Sequence, residues 1–178
     1  FEESELGEIP SGWSVDSFTS QFNVLGGGTP KTSVDEFWSG DLLWFSVVDA
    51  PSDSDCWVVD TQKTITHLGL DNCSSDLFRK GTTIISARGT VGKVCLVGTP
   101  MAMNQSCYAL QPKEEEQDIF CYYSTKEIVE ILKARSARTV SSSITRGTLH
   151  RIAVCCPHKD VVNAFEELSR PMLEKIKL

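Results

Sequence analysis

The sequence is short of the features that would place it in several large protein classes. Its 178 residues contain no apolar run approaching the roughly 20 residues that span a bilayer, and its first residues are acidic, unlike a signal peptide. The seven cysteines form no C-x-x-C pair, so a zinc site is not expected. Cys95, Cys107, Cys155 and Cys156 sit in apolar, strand-like stretches and read as small buried hydrophobes, the reduced thiols of a cytoplasmic protein. Without a secretion signal, the glycosylation sequons at Asn72 and Asn104 carry no meaning. The lack of Met at position 1 is what a fragment or a processed chain would show.

Catalytic words are missing too. Gly26–Thr32 resembles a phosphate loop, but Pro30 stands where a Walker A motif needs Gly before its Lys. No third glycine completes a dinucleotide fingerprint, and no G-x-S-x-G elbow exists. Gly89-Thr-Val-Gly92 has the GXXG spacing of an RNA clamp, yet strand-like runs flank it rather than helices. Asn104-Gln105 lacks the prolines of an adenine methyltransferase word, and reads instead as a tight turn whose side chains bond its own backbone. No cofactor and no metal are therefore expected. A Cys–His dyad built on His67, His150 or His158 keeps a thiol hydrolase as a remote alternative; each His reads first as a surface or structural residue.

Acidic residues are absent from two windows, Leu77–Lys113 and Ile131–Lys159. The first carries Arg79, Lys80, Arg88, Lys93 and Lys113, and the second Lys133, Arg135, Arg138, Arg146, Arg151 and Lys159. The rest of the chain holds all 24 acids against six Lys or Arg, giving the net charge of −7. Segregation of this kind allows one positive face on an acidic protein, and phosphates respond to the face rather than to the total.

Periodicity predicts an α/β mixture. Glu8–Gly12 reads as a turn, Val15–Val24 as holding one short helix, Leu42–Val48 as a strand, Asp49–Asp55 as a loop and Cys56–Val59 as a strand return. Thr64–Ile65 leads to a turn at Gly69. Thr82–Ala87 and Lys93–Val97 read as a hairpin about Arg88-Gly-Thr-Val-Gly92, because glycine permits positive φ where a chain reverses. Ala109–Leu110 ends a further strand. Asp118 is the expected N-cap of a helix through Ala134 that turns Phe120, Tyr123, Ile128, Ile131 and Leu132 inward. Arg135–Thr145 reads as a loop and Ile152–Cys156 as a strand ended by Pro157. From Asp160, the apolar stripe Val161, Phe165, Leu168, Met172 and Ile176 predicts an amphipathic helix that outruns the small domain before it, with a kink or break at Pro171. The four tryptophans are expected to pack in the core rather than stack on bases.

A series of short words gives the chain a family likeness: Leu6-Gly-Glu-Ile-Pro-Ser-Gly-Trp13, Gly26-Gly-Gly-Thr-Pro-Lys31, Phe37-Trp-Ser-Gly40, Arg88-Gly-Thr-Val-Gly92 and Asn104-Gln-Ser106. In this order and spacing, over nearly the whole chain, they resemble the target recognition domain of type I restriction-modification specificity subunits. The resemblance implies an α+β fold: a compact mixed α/β recognition domain with a twisted, mainly antiparallel sheet over residues 1–158. The start of a long spacer or coiled-coil helix is then expected over 159–178. It also implies a non-catalytic, cytoplasmic module that reads one half of a bipartite double-stranded DNA target. The implied partners are the modification (methyltransferase) subunits, the motor-nuclease restriction subunit, and a second recognition domain or another copy met through the spacer helix. A module that chiefly docks the modification subunit is the competing reading.

Base contacts vary within that family, so candidates come from side-chain chemistry. Arg and Lys hold phosphates, while Arg, Asn and Gln read base edges. Lys31, Arg88, Lys93, Arg135, Arg138, Ser142 and Arg146 are the expected DNA-binding residues. Asp53 or Asp55, in the polar Ser46–Asp55 loop, is a candidate acceptor for a cytosine amino group.

Overall fold

Side chains of a strand alternate between its two faces, and here that alternation assigns neighbouring residues to different cores. The computed structural model describes residues 1–52, 55–136 and 143–176, without the side chains of Arg135 and Ser136. Its central sheet contains β4 (Phe22–Gly26), β6 (Trp57–Val58), β8 (Thr83–Ser86), β9 (Val94–Val97) and β11 (Cys107–Pro112), ordered β4-β11-β8-β9-β6. Only its β6–β9 pair is parallel. Ile85, Leu110, Val94 and Tyr108 face a layer made by α1 (Phe18–Gln21) and α3 (Asp118–Ser136), through Phe18, Cys121, Ile128 and Val129. Their neighbours Ile84, Cys95 and Ala109 face the other way, onto Phe45, Met101 and Met103. Those three belong to a second sheet of β5 (Trp38–Phe45), β7 (Lys63–Ile65) and β10 (Met101–Met103), ordered β10-β5-β7.

Two small antiparallel pairs complete the set: β1 (Glu2–Ser4) with β2 (Gly7–Ile9), and β3 (Ser14–Ser17) with β12 (Ala153–Cys156). The remaining helices are α2 (His67–Asp71), α4 (Arg146–His150) and α5 (Lys159–Ile176). Among the described residues, the α+β, mainly antiparallel architecture is thus distributed over four sheets. No helix among the described residues is long and apolar enough to cross a membrane.

Several sequence expectations are corrected in detail. The one short helix expected within Val15–Val24 is present as the four residues of α1, bounded by Val15 in β3 opposite Cys155 and by Val24 in β4 opposite Leu110. Gly69 is not a turn but an interior residue of α2, where a Cβ would lie 2.3 Å from the Phe37 carbonyl oxygen. Close packing, not chain reversal, requires that glycine. On α3, Tyr122 is buried and Tyr123 exposed, opposite to expectation. The helix is covered on two sides: Ile128 and Val129 meet the sheet, while Phe120 and Tyr123 meet Phe165 of α5 edge to face. The helix also continues through Ser136, into the stretch expected to be loop. Cys155 and Cys156 are only half-buried, whereas Cys56, Cys95, Cys107 and Cys121 are buried.

Asp118 does not cap α3. Its carboxylate is held bidentately by Arg79 at 2.8 and 2.9 Å, and the Phe120 amide instead donates to Glu166 of α5 at 2.7 Å. Pro171 neither breaks nor ends α5, which runs through it as far as Ile176 with the proline exposed. Val162, Glu166 and Leu173 face inward, and the Trp57 indole N–H donates to the Leu173 carbonyl at 2.8 Å. Of the expected stripe, Phe165 packs against Phe120 and Tyr123, while Val161, Leu168, Met172 and Ile176 are exposed, the middle two by about 70%. Trp44 and Trp57 are core residues as expected, while Trp13 and Trp38 are half-buried.

Candidate nucleic-acid interface

Antiparallel order places the end of β4, the start of β11, the end of β8 and the start of β9 at one end of the central sheet. The register fixes this: Gly26 lies opposite Tyr108, Cys107 opposite Ser86, and Ile85 opposite Val94. The glycine-rich segment after β4, the Asn104–Ser106 turn, the Arg88 turn and Lys93 therefore all emerge together.

Backbone bonds tie these segments to one another. Ser106 accepts the amides of Ala87 at 2.8 Å and Arg88 at 3.2 Å, and Asn104 Oδ1 accepts the Ser106 amide at 3.0 Å. Asn104 bonds the backbone of its own turn as expected, whereas the Gln105 side chain reaches another segment instead. Gly28 N donates to the Met103 carbonyl at 2.9 Å, and the Thr29 hydroxyl donates to Gln105 Oε1. Gly27 makes this approach possible, because a Cβ there would sit 2.1 Å from the Asn104 carbonyl oxygen. The hairpin closes on itself: Ser86 Oγ donates to the Thr90 carbonyl at 2.5 Å and accepts the Lys93 amide at 2.9 Å. Gly89 and Gly92 have φ of 71° and 87°, the backbone freedom for which the sequence selected them.

The two acid-free windows meet at this end. Arg88 forms an antiparallel bridge with Ser143, and the Ile144 amide donates to the Ala87 carbonyl at 2.8 Å. Three residues on, Arg146 opens α4, behind a Thr145 hydroxyl that accepts the Thr148 amide at 3.0 Å. The Arg146 guanidinium lies 5.9 Å from the centroid of the Tyr108 ring, and its Nη2 is 3.5 Å from where a Gly26 Cβ would stand. Stacking on an aromatic face holds a guanidinium flat while leaving its N–H edges available.

Of the expected DNA-binding residues, Arg88, Lys93 and Arg146 come to this end of the sheet, and all three are exposed. Lys93 turns toward a groove of about 310 Å³ between the Pro51–Ser52 segment and α3, shared with Lys126 and Lys133. Lys126 gave no sequence signal, because neighbouring acids on α3 masked it. Lys31 is exposed beyond the glycines, its carbonyl accepting the Trp38 indole N–H at 3.2 Å. Arg138 and Ser142 lie outside the described residues, as does the side chain of Arg135 and all of Asp53. Asp55 is committed elsewhere, accepting the amides of Cys56 at 2.6 Å and Trp57 at 3.1 Å.

Burial works against a nucleophilic role for three of the thiols. Burial pushes Cys107 and Cys121 up to about 12, and Cys95 is raised by the same cause, so these sulfurs stay protonated at neutral pH. His67, His150 and His158 pair with Asp41, Thr19 and Asp160 respectively.

The chain is similar to known proteins over nearly its whole length. The chain is 28% identical over 193 residues to the type I restriction enzyme MjaIX specificity subunit of Methanocaldococcus jannaschii, covering 100% of this chain and 45% of that one. It is 23% identical over 170 residues to the HindI specificity subunit of Haemophilus influenzae, covering 94% of this chain and 37% of that one. The chain thus spans less than half the length of these relatives. Its fold matches the HsdS subunit of Thermoanaerobacter tengcongensis with a TM-score of 0.65 at 16% identity, over 98% of this chain and 41% of that one. The type I restriction-modification S subunit of M. genitalium matches with a TM-score of 0.59 at 14% identity, over 94% and 43%. The profile described as type I restriction modification DNA specificity domain matches residues 10–163, and the chain belongs to that family.

Proposed function

We propose that this chain is a non-catalytic, cytoplasmic module that reads one half of a bipartite double-stranded DNA target. In doing so it directs the methyltransferase and nuclease subunits of a type I restriction-modification complex. One observation carries the reading: the Arg88–Ser143 bridge joins the two acid-free windows at one end of the central sheet, beside Arg146. Arg88, Arg146 and Lys93 there, with Lys31 nearby in sequence to the glycines, supply phosphate contacts. Arg135, Arg138 and Ser142 extend the same stretch of chain. The Asn104–Ser106 turn and the glycine-rich segment bring backbone and amide groups to the same place, where base edges can be read.

The exposed stripe of α5 favours a helical partner in addition to DNA. Residues 1–158 form the recognition domain in this reading, and 159–178 begin a spacer helix that meets a second recognition domain or another copy of the chain. The modification subunits dock on the resulting assembly.

Selection from a pool of random duplexes tests the DNA reading. The chain is expected to enrich one short motif at low salt, with affinity limited because a lone domain lacks the gain from two linked sites. Recovery of unenriched pools at every salt concentration would contradict it.

A further inference from the structure

Beside the sheet end, an open groove of about 510 Å³ runs between α4 and the corner where α1 meets β4. Among the described residues, three basic side chains line it: Arg146, His150 and Lys113. All three are exposed, and no carboxylate lines the groove. Arg146 and His150 are four residues apart on α4, so they share one helix face. Lys113 follows the last residue of β11, and its amide donates to the Gln21 carbonyl at 3.0 Å, which fixes the backbone there.

A single residue orients two of the three. The Thr19 carbonyl accepts Lys113 Nζ at 2.8 Å, and the Thr19 hydroxyl bonds His150 Nδ1 at 2.8 Å. An ammonium has three protons, so Lys113 keeps two for a ligand. With its Nδ1 engaged by Thr19, the His150 ring has Nε2 left for another partner. The nearest acid in sequence, Glu114, is occupied by Lys159 at 2.8 Å. The groove is therefore a set of anchored donors without an internal anion to satisfy them.

We propose that this groove carries backbone phosphates of the bound duplex, continuing the sheet-end site along one DNA strand. Lys113 and His150 join Arg146 as phosphate contacts, and Thr19 is their positioning residue. The spacing suits a backbone. Tyr108, under Arg146 on β11, and Lys113, the residue after that strand, are five residues apart, roughly 16 Å at about 3.3 Å per residue. At about 3.4 Å of axis per nucleotide, that length follows a strand over four to five base pairs. These contacts carry no sequence information; they fix the register in which the sheet end meets the base edges.

The inference rests on the DNA reading given above, and one titration series separates the two. Fluorescence anisotropy of the full chain with a 30-base-pair duplex of arbitrary sequence gives affinity against salt. Lys113→Gln keeps a donor for the Thr19 carbonyl but loses the charge. It is expected to weaken binding to every sequence alike and to flatten the log–log salt slope by about 0.9, the release accompanying one phosphate contact. Lys113→Arg restores the slope, which a merely structural role for Lys113 would not require. His150→Ala weakens binding to every sequence alike. Ethylation interference on the unmodified chain, which needs no variant, is expected to mark successive phosphates of one strand. An unchanged slope in Lys113→Gln, with Arg88→Ala still weakening binding, overturns the groove and leaves the DNA reading intact. Duplex binding that is undetectable in the unmodified chain at every salt concentration removes both.

Discussion

Glu166 of α5 accepts the Phe120 amide of α3 at 2.7 Å with one carboxylate oxygen, and the Arg170 guanidinium at 2.8 Å with the other. The carboxylate is buried, only 5% of the residue remaining accessible. A free amide at the start of α3 is thus satisfied by a neighbouring helix rather than by a local cap. Trp57 on Leu173, Lys159 on Glu114 and Lys80 on Glu174 add further attachments along α5. These bonds hold α5 in a fixed orientation against α3 and β6.

Removing the carboxylate should loosen that attachment. Glu166→Ala is expected to cost about 1–3 kcal/mol in denaturant unfolding, by orphaning a buried amide, and Glu166→Gln less, since its amide oxygen still accepts from Phe120. Desolvation raises the Glu166 pKa despite the Phe120 and Arg170 bonds. The folded state therefore holds this proton more tightly than the unfolded chain does. Its stabilising contribution is full below the unfolded pKa and is lost as pH rises through the folded value. Relative to Glu166→Gln, the unmodified chain should lose stability from acid toward neutral pH. A difference that grows in the opposite direction would contradict burial as the dominant cause.

Gly27 tests the packing of the sheet end. Gly27→Ala places a methyl against the Asn104 carbonyl, where backbone must move, and should displace the turn that holds Arg88 through Ser106. Reduced duplex affinity with chemical-shift changes centred on 104–106 is expected. Gly89→Ala makes a useful contrast, since open space surrounds that position and the strain comes from its positive φ alone.

The outward stripe of α5 makes a different demand. Leu168→Glu with Met172→Glu should leave the unfolding midpoint of the chain almost unchanged, because both side chains are already about 70% exposed. The same pair should abolish association with a partner helix in sedimentation equilibrium. A large loss of stability would place the stripe in the domain's own packing instead.

Local chemistry is what the sequence conveyed well. Gly89 and Gly92 marked the hairpin between Thr82–Ala87 and Lys93–Val97, because a tight reversal depends on residues close in the chain. Gly69 misled for the opposite reason: its glycine answers to the Phe37 carbonyl, a contact between elements. Tyr123 misled because one apolar pattern on α3 served two partners, the sheet and Phe165. At the site, charge segregation singled out Arg88, Lys93 and Arg146, but not their meeting. That depends on Arg88 pairing with Ser143, two residues far apart in sequence. His150 stood out in the sequence only as a remote dyad partner and Thr19 not at all, since a groove built by α1, α4 and the end of β11 exists only after folding.

The central claim, a phosphate-gripping surface assembled where the two acid-free windows meet, is tested most directly by the salt dependence of duplex binding in Arg88→Ala/Arg146→Ala. The account predicts a log–log slope lower by about 1.8, for two lost phosphate contacts, with affinity reduced for target and unrelated duplexes alike. A slope and affinity equal to those of the unmodified chain would contradict it.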